Sequence, residues 1–122
     1  GILQLKESLV AFIKSNKHKI ECSIEEIHHS NKLDAPSGTA IEIKDLIKNT
    51  DNKSNINQIN INSKRVDEVF GIHKVTFFSE ESSSDFKHEA LSRDVYANGA
   101  IKCAMTIHRL EPNVYKFEDI IN

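Results

Sequence analysis

The segment from Ile20 to His29 constrains the fold more than any other part of the chain. Apolar residues at positions 20, 22 and 24 alternate with Glu or Ser at positions 21, 23 and 25. A period of two is typical of a strand with one buried face. Such a strand must pair with at least one other strand and have its apolar face covered, so we expect it to belong to a sheet.

Helical patterns flank this strand. Apolar residues recur at helical spacing from Ile2 to about Lys17, and Pro36 favours a second helix that begins around Pro36 to Gly38 and continues to about Lys48. We predict an α/β (α+β) domain over residues 1–122, with a mixed, open sheet of four or more strands and helices packed on one face. The Asn-rich segment 49–60 predicts a mobile surface loop. The remaining predicted elements are strands over 59–66, 72–78 and 84–91, a helix over about 92–109 and an apolar tail over 114–122.

The composition excludes several classes of function. Sixteen Lys and Arg against eighteen Asp and Glu leave a formal charge of -2, so no positive field favours nucleic acid or anionic lipid. No apolar run has the ~20 residues needed to cross a bilayer, and the N-terminus lacks a signal-peptide pattern, so we expect a cytoplasmic protein. Cys22 and Cys103 are far apart and are expected to be reduced thiols.

A second feature is the segment IHHSNKLDAPSGTA from Ile27 to Ala40, which carries several polar groups in a short space. Unpaired amides at a helix start attract anions, so Ser37, Gly38 and Thr39 could hold a carboxylate or phosphate, with Lys32 adding a positive charge. A serine at a helix start is more often simply a cap, and a single lysine more often a solvated surface group. There is no GxxxxGK[ST] motif for a nucleotide phosphate loop.

The two adjacent histidines predict two different roles. His28 and His29 lie at the end of the predicted strand, where neighbouring side chains point to opposite faces. One imidazole could donate a proton while the other binds an anion. A metal site would need a third ligand from Asp34, His73 or His88, and adjacent histidines make a poor bidentate pair, so we expect no metal.

These residues are similar to the signature of the dihydrodipicolinate reductases, in which a histidine pair, a lysine three residues on and DAPSGTA follow one another. A second block, GIHKVTFFSEESSSDFKHEALSRDVYANGA from Gly71 to Ala100, resembles the later strands and helix of the same family. The resemblance implies that His28 is a general acid assisted by Lys32. It also implies a set of carboxylate-binding residues: His29, Lys32, Ser37, Gly38 and Thr39.

The resemblance covers only the second domain of that family, the C-terminal domain for substrate binding and oligomerisation. It implies that an N-terminal Rossmann domain is absent from this chain, in agreement with the lack of a GxGxxG motif. In the complete enzyme, NADH or NADPH would reduce dihydrodipicolinate, or its hydroxylated precursor, in lysine biosynthesis. The resemblance further implies a homotetramer that uses the free sheet face, and no cofactor bound to this chain alone. The alternatives are a non-catalytic dicarboxylate-binding or assembly module and, third, a metal-dependent hydrolase.

Overall fold

The computed structural model describes residues 1–92. Residues Gly1–Glu89 form one compact unit. No helix in this described part is long and apolar enough to cross a membrane. The predicted helix beyond Ser92 and the apolar tail lie outside the described residues, and the single domain over 1–122 stays a prediction. The elements are α1 (Ile2–Ser15), β1 (Ile20–His28), α2 (Gly38–Thr50), β2 (Ile56–Arg65), β3 (Gly71–Phe78) and β4 (Ser83–Ala90).

The four strands form one mixed sheet in the order β2-β1-β3-β4. β1 pairs with β2 in parallel and with β3 antiparallel. The parallel pair is connected through α2, because parallel neighbours need a crossover. β3 and β4 are joined by a tight turn in which the amide of Ser79 donates to the carbonyl of Ser82 over 2.9 Å. The predicted fold class is confirmed.

Both helices cover the same face of the sheet, and this face holds the core. β1 and β3 bury every second residue, and their register places Cys22 opposite Phe77 and Ile24 opposite Val75. Phe12 of α1 stacks on Phe77 with ring centroids 4.6 Å apart. The helices add their own apolar stripes to this cluster: Leu5, Leu9, Ile13, Ala40, Ile43 and Ile47.

The prediction of a mobile loop over 49–60 is wrong for most of that segment. α2 continues to Thr50, and β2 begins at Ile56. The carboxylate of Asp51 explains the short connection, since it accepts hydrogen bonds from the amides of Asn55 and Ile56, each 2.9 Å long. Ile56 and Ile59 then pack against the core, which the high Asn content of the segment obscured.

Candidate functional site

The buried row of β1 changes from apolar to polar at its C-terminal end. After Ile24, the next two residues on the covered face are Glu26 and His28, which are 0% and 7% exposed. The antiparallel register places Glu26 opposite His73, itself 2% exposed. Three ionisable side chains therefore occupy one end of the core, and each needs a partner to offset the loss of water.

Glu26 is held by a cation and an amide. Nη1 of Arg65 donates to Oε1 of Glu26 over 2.7 Å, and the amide of Ser37 donates to Oε2 over 2.9 Å. Burial alone would raise the pKa of Glu26, but these hydrogen bonds outweigh it and lower the pKa to about 2. Glu26 is therefore a fixed negative charge at neutral pH.

Arg65 also fixes the loop between β1 and α2. Its Nε donates to the carbonyl of Lys32 over 3.2 Å, and its Nη2 donates to the carbonyl of Asp34. Arg65 pairs with His28 in the parallel register of β1 and β2, so one guanidinium joins two strand ends to the loop. Neither Arg65 nor Glu26 is a site residue in the predictions from the sequence. The sequence does contain a signal for both residues, because Glu26 falls on the apolar face of β1. A carboxylate buried on such a face requires a cation as its partner.

The start of α2 carries the residues of the predicted anion site. Ser37 is a buried N-cap whose Oγ accepts a hydrogen bond from the amide of Ala40 over 3.1 Å. Its own amide is used by Glu26. Within residues 1–92, no hydrogen bond uses the amides of Gly38 and Thr39. A Cβ added at Gly38 would meet no atom within 4 Å, so this end of the helix is open.

Two imidazoles meet beside Ser37. The rings of His28 and His73 lie edge to face with centroids 5.0 Å apart, and Nε2 of His73 is 3.3 Å from Oγ of Ser37. Burial lowers the pKa of His73 to about 4, helped by the positive charge of protonated His28. Burial also lowers the pKa of His28, although the charge of Glu26 opposes that change. His73 is thus a neutral imidazole at physiological pH.

The other two predicted residues lie just beyond β1. The strand ends at His28, and His29 follows it with a buried Nδ1 that has no hydrogen-bond partner in the described part of the chain. The amide of Lys32 donates to the carbonyl of His29 over 3.1 Å. Nζ of Lys32 lies 3.1 Å from Asp34, and that hydrogen bond lowers the pKa of Asp34. The Lys32 side chain is 28% exposed and within electrostatic reach of His28.

The metal alternative can be compared with this geometry. Glu26, His28 and His73 offer ligand atoms within 4.8 Å of one another, whereas Asp34 and His88 do not belong to this group. The carboxylate already has partners in Arg65 and Ser37. The cluster is therefore charge-compensated without an ion, and the expectation of no metal stays a prediction.

The α+β fold, with a polar cluster at the C-terminal end of β1, can be compared with known protein families. The family model described as "Dihydrodipicolinate reductase, C-terminus" matches residues 2–121. The chain therefore belongs to the family of dihydrodipicolinate reductase C-terminal domains, as its sequence motifs predicted.

Individual relatives agree with this assignment. A 4-hydroxy-tetrahydrodipicolinate reductase of Bdellovibrio bacteriovorus is 36% identical over 121 residues, which are 99% of this chain and 51% of that protein. The protein of the same name from Thermosipho africanus is 44% identical over 101 residues, covering 83% of this chain and 43% of that protein. The chain thus spans about half the length of the curated relatives it matches.

A solved structure has the same fold. It is titled "Dipicolinate bound Dihydrodipicolinate reductase from Paenisporosarcina sp. TG-14" and superposes with a TM-score of 0.68 at 22% identity. The match covers 98% of this chain and 50% of that chain. At this identity the likeness establishes the fold.

Proposed function

We propose that this chain is the substrate-binding and proton-donating part of a cytoplasmic NAD(P)H-dependent 4-hydroxy-tetrahydrodipicolinate reductase of the lysine pathway. The observation that carries the proposal is the convergence, at one end of β1, of the His28 imidazole, the Lys32 ammonium and the open start of α2. An acid beside a cation and unpaired amides suits a small dianion whose ring must gain a proton. Family membership supports the choice of reaction.

Carboxylate binding would use the groups that the fold leaves available. The amides of Gly38 and Thr39 sit at the positive end of α2, and the Thr39 hydroxyl adds a further donor. Lys32, whose ammonium also pairs with the exposed carboxylate of Asp34, supplies a point charge from the loop that Arg65 holds in place. Ser37 would act indirectly, since its amide and hydroxyl already have partners inside the protein. His29 would complete the set as predicted from the sequence.

Proton donation would come from His28. Burial disfavours its charged form, but a bound dianion would add negative charge next to the ring and so favour protonation. NADH or NADPH supplies a hydride to one ring carbon when it is bound, and His28 would give a proton to the adjacent ring atom. No GxGxxG motif occurs in this sequence, so the cofactor would be held by residues outside it.

Calorimetric titration with pyridine-2,6-dicarboxylate tests the binding part of the proposal. The protein to use contains this chain within the full length of its relatives, with variants Lys32→Ala and Thr39→Val. Lys48→Ala is a matched control, because it removes the same charge from an exposed site in the last turn of α2. We expect the first two variants to bind on the order of tenfold more weakly, since a charge-assisted hydrogen bond contributes about 1.5–3 kcal/mol. Equal affinity in all four proteins would refute the site.

The same protein separates the proposal from its alternative. A non-catalytic dicarboxylate-binding module would bind pyridine-2,6-dicarboxylate and show no NAD(P)H-dependent turnover of the substrate. The reductase would show both.

We also propose that the sheet face opposite the helices assembles four copies of the protein. Ile72, Thr76 and Phe78 alternate along β3 with the core residues and are half-buried on that face. A Phe78→Glu variant should shift the mass measured by light scattering from tetramer to smaller species. Ile41→Glu, at an exposed position of α2, should leave the mass unchanged. A wild-type monomer would contradict the proposal.

A further inference from the structure

We infer that Glu26 is a positioning residue for the proposed acid: its carboxylate holds the His28 ring with the proton on Nδ1, so that Nε2 is the atom that exchanges a proton with the ligand. This inference rests on the proposed function in naming His28 as the acid. The contact between Glu26 and His28 and the position of the proton on the ring can be tested without measuring turnover.

The surroundings of Nδ1 of His28 favour a proton on that atom. Nδ1 of His28 is buried, has no hydrogen-bond partner among residues 1–92, and lies 3.4 Å from Oε2 of Glu26. This separation is slightly long for a hydrogen bond, and contacts of this kind often tighten only when ligand binds. A buried N–H facing a carboxylate is favourable, whereas a lone pair facing it is repelled. The Nδ1–H tautomer follows.

The Glu26 carboxylate is held in place and stays charged at neutral pH. Arg65 holds one carboxylate oxygen and the Ser37 amide holds the other. Since Ser37 is the N-cap of α2, the position of the carboxylate is tied to the helix start at which the ligand is proposed to bind. The orientation of His28 and the ligand site are thus fixed by the same group.

The charges around His28 make its protonated form depend on Glu26. Arg65 on β2, and Lys32 and His29 in the loop, all disfavour its protonated form, as does burial. His73 on β3 packs edge-on against the ring and is neutral at physiological pH. Among these groups from the described elements, Glu26 alone favours the imidazolium. A proton donor in this place therefore depends on Glu26.

Nuclear magnetic resonance of histidine-labelled protein provides the first test. We expect the ¹⁵N shifts of wild-type His28 to show the Nδ1–H tautomer, with His28→Gln used to assign the signal among six histidines. In Glu26→Gln the pKa of His28 should fall. Glu25→Gln is the matched control, because Glu25 precedes Glu26 on β1 and lies on the opposite sheet face, paired with Lys64. It should leave His28 unchanged.

Two results would overturn the inference: an Nε2–H tautomer in the wild type, or a His28 pKa that does not move in a folded Glu26→Gln protein. The wild-type tautomer decides the matter even where Glu26→Gln does not fold. Because neither measurement uses turnover, loss of the positioning role and loss of the proposed reductase activity are separate outcomes.

The pH dependence of kcat/KM in the full-length enzyme provides the second test. Glu26→Gln should move the alkaline limb to lower pH, with a loss on the order of tenfold above neutral pH and recovery on acidification. A purely structural role would lower kcat/KM equally at every pH. An unmoved limb would count against the inference.

Discussion

Removing the Arg65 cation should destabilise the protein far more than removing its neighbour Lys64. In Arg65→Met the buried Glu26 carboxylate loses its counter-ion, and breaking one side of a buried pair costs about 3–5 kcal/mol. The pKa of Glu26 gives a second value for the free energy that the carboxylate gains from its partners. A fall from 4.5 to about 2 corresponds to about 3 kcal/mol from all groups that bind the carboxylate. Ser37 provides part of that stabilisation, so we expect a loss near the lower limit, about 3 kcal/mol.

Lys64→Met is the matched control on the same strand. Nζ of Lys64 lies 3.9 Å from Glu25, and these side chains are 59% and 39% exposed, so the pair should contribute less than about 1 kcal/mol. Urea unfolding at pH 7, followed by circular dichroism because the chain has no Trp, measures both losses. The double variant with Glu26→Gln should regain part of the stability. Equal losses in the two single variants would refute the assignment of a buried pair.

Three further predictions concern acid stability, the helix start and the buried thiol. The pKa of His73 is about 4 in the folded protein, below its ordinary 6.5. The unfolded chain therefore binds more protons between these values, so the free energy of unfolding should fall as the pH drops from 6.5 to 4. Glu26 should cause a further loss of stability between pH 4.5 and 2. His73→Gln should weaken the upper phase of acid unfolding without abolishing it, because burial also lowers the pKa of His28, and an unchanged profile would contradict this. Gly38→Ala should leave the free energy of unfolding equal or higher, because no atom lies within 4 Å of the new Cβ. The same variant should bind pyridine-2,6-dicarboxylate more weakly in calorimetry. Unchanged affinity would argue against an anion at this position. Burial raises the pKa of Cys22 to about 12, so iodoacetamide should modify it only as fast as the protein opens, and rapid modification of folded protein, monitored by mass spectrometry, would disprove that.

Much of the fold could be predicted because local patterns and tertiary structure agree. The alternation in β1 predicts the buried face that carries Ile24, and β3 places Val75 and Phe77 on the same covered face. We predicted that the second helix begins between Pro36 and Gly38, and the structure begins it at Gly38 with Ser37 as the N-cap, so Pro36 lies just outside the helix. The prediction of a loop over 49–60 is wrong because the polar composition of this segment is typical of loops. The hydrogen bonds that the Asp51 carboxylate accepts make the connection short, and the sequence pattern does not show them.

The candidate site was predictable only where its residues are close in sequence. His28, Lys32 and the start of α2 fall within one short motif, so the sequence alone was enough to propose them as one site. The partners that organise the motif come from elsewhere: Arg65 from β2 and His73 from β3. Their positions depend on strand register, which the pattern of a single strand does not determine.

The central claim, that His28 donates the proton, is tested most directly by comparing turnover with binding in His28→Gln. The full-length enzyme should lose about 10²–10⁴-fold in kcat, while its dissociation constant for pyridine-2,6-dicarboxylate changes far less. His18→Gln, at an exposed position, should match the wild type in both. A His28→Gln enzyme with wild-type kcat would contradict the account.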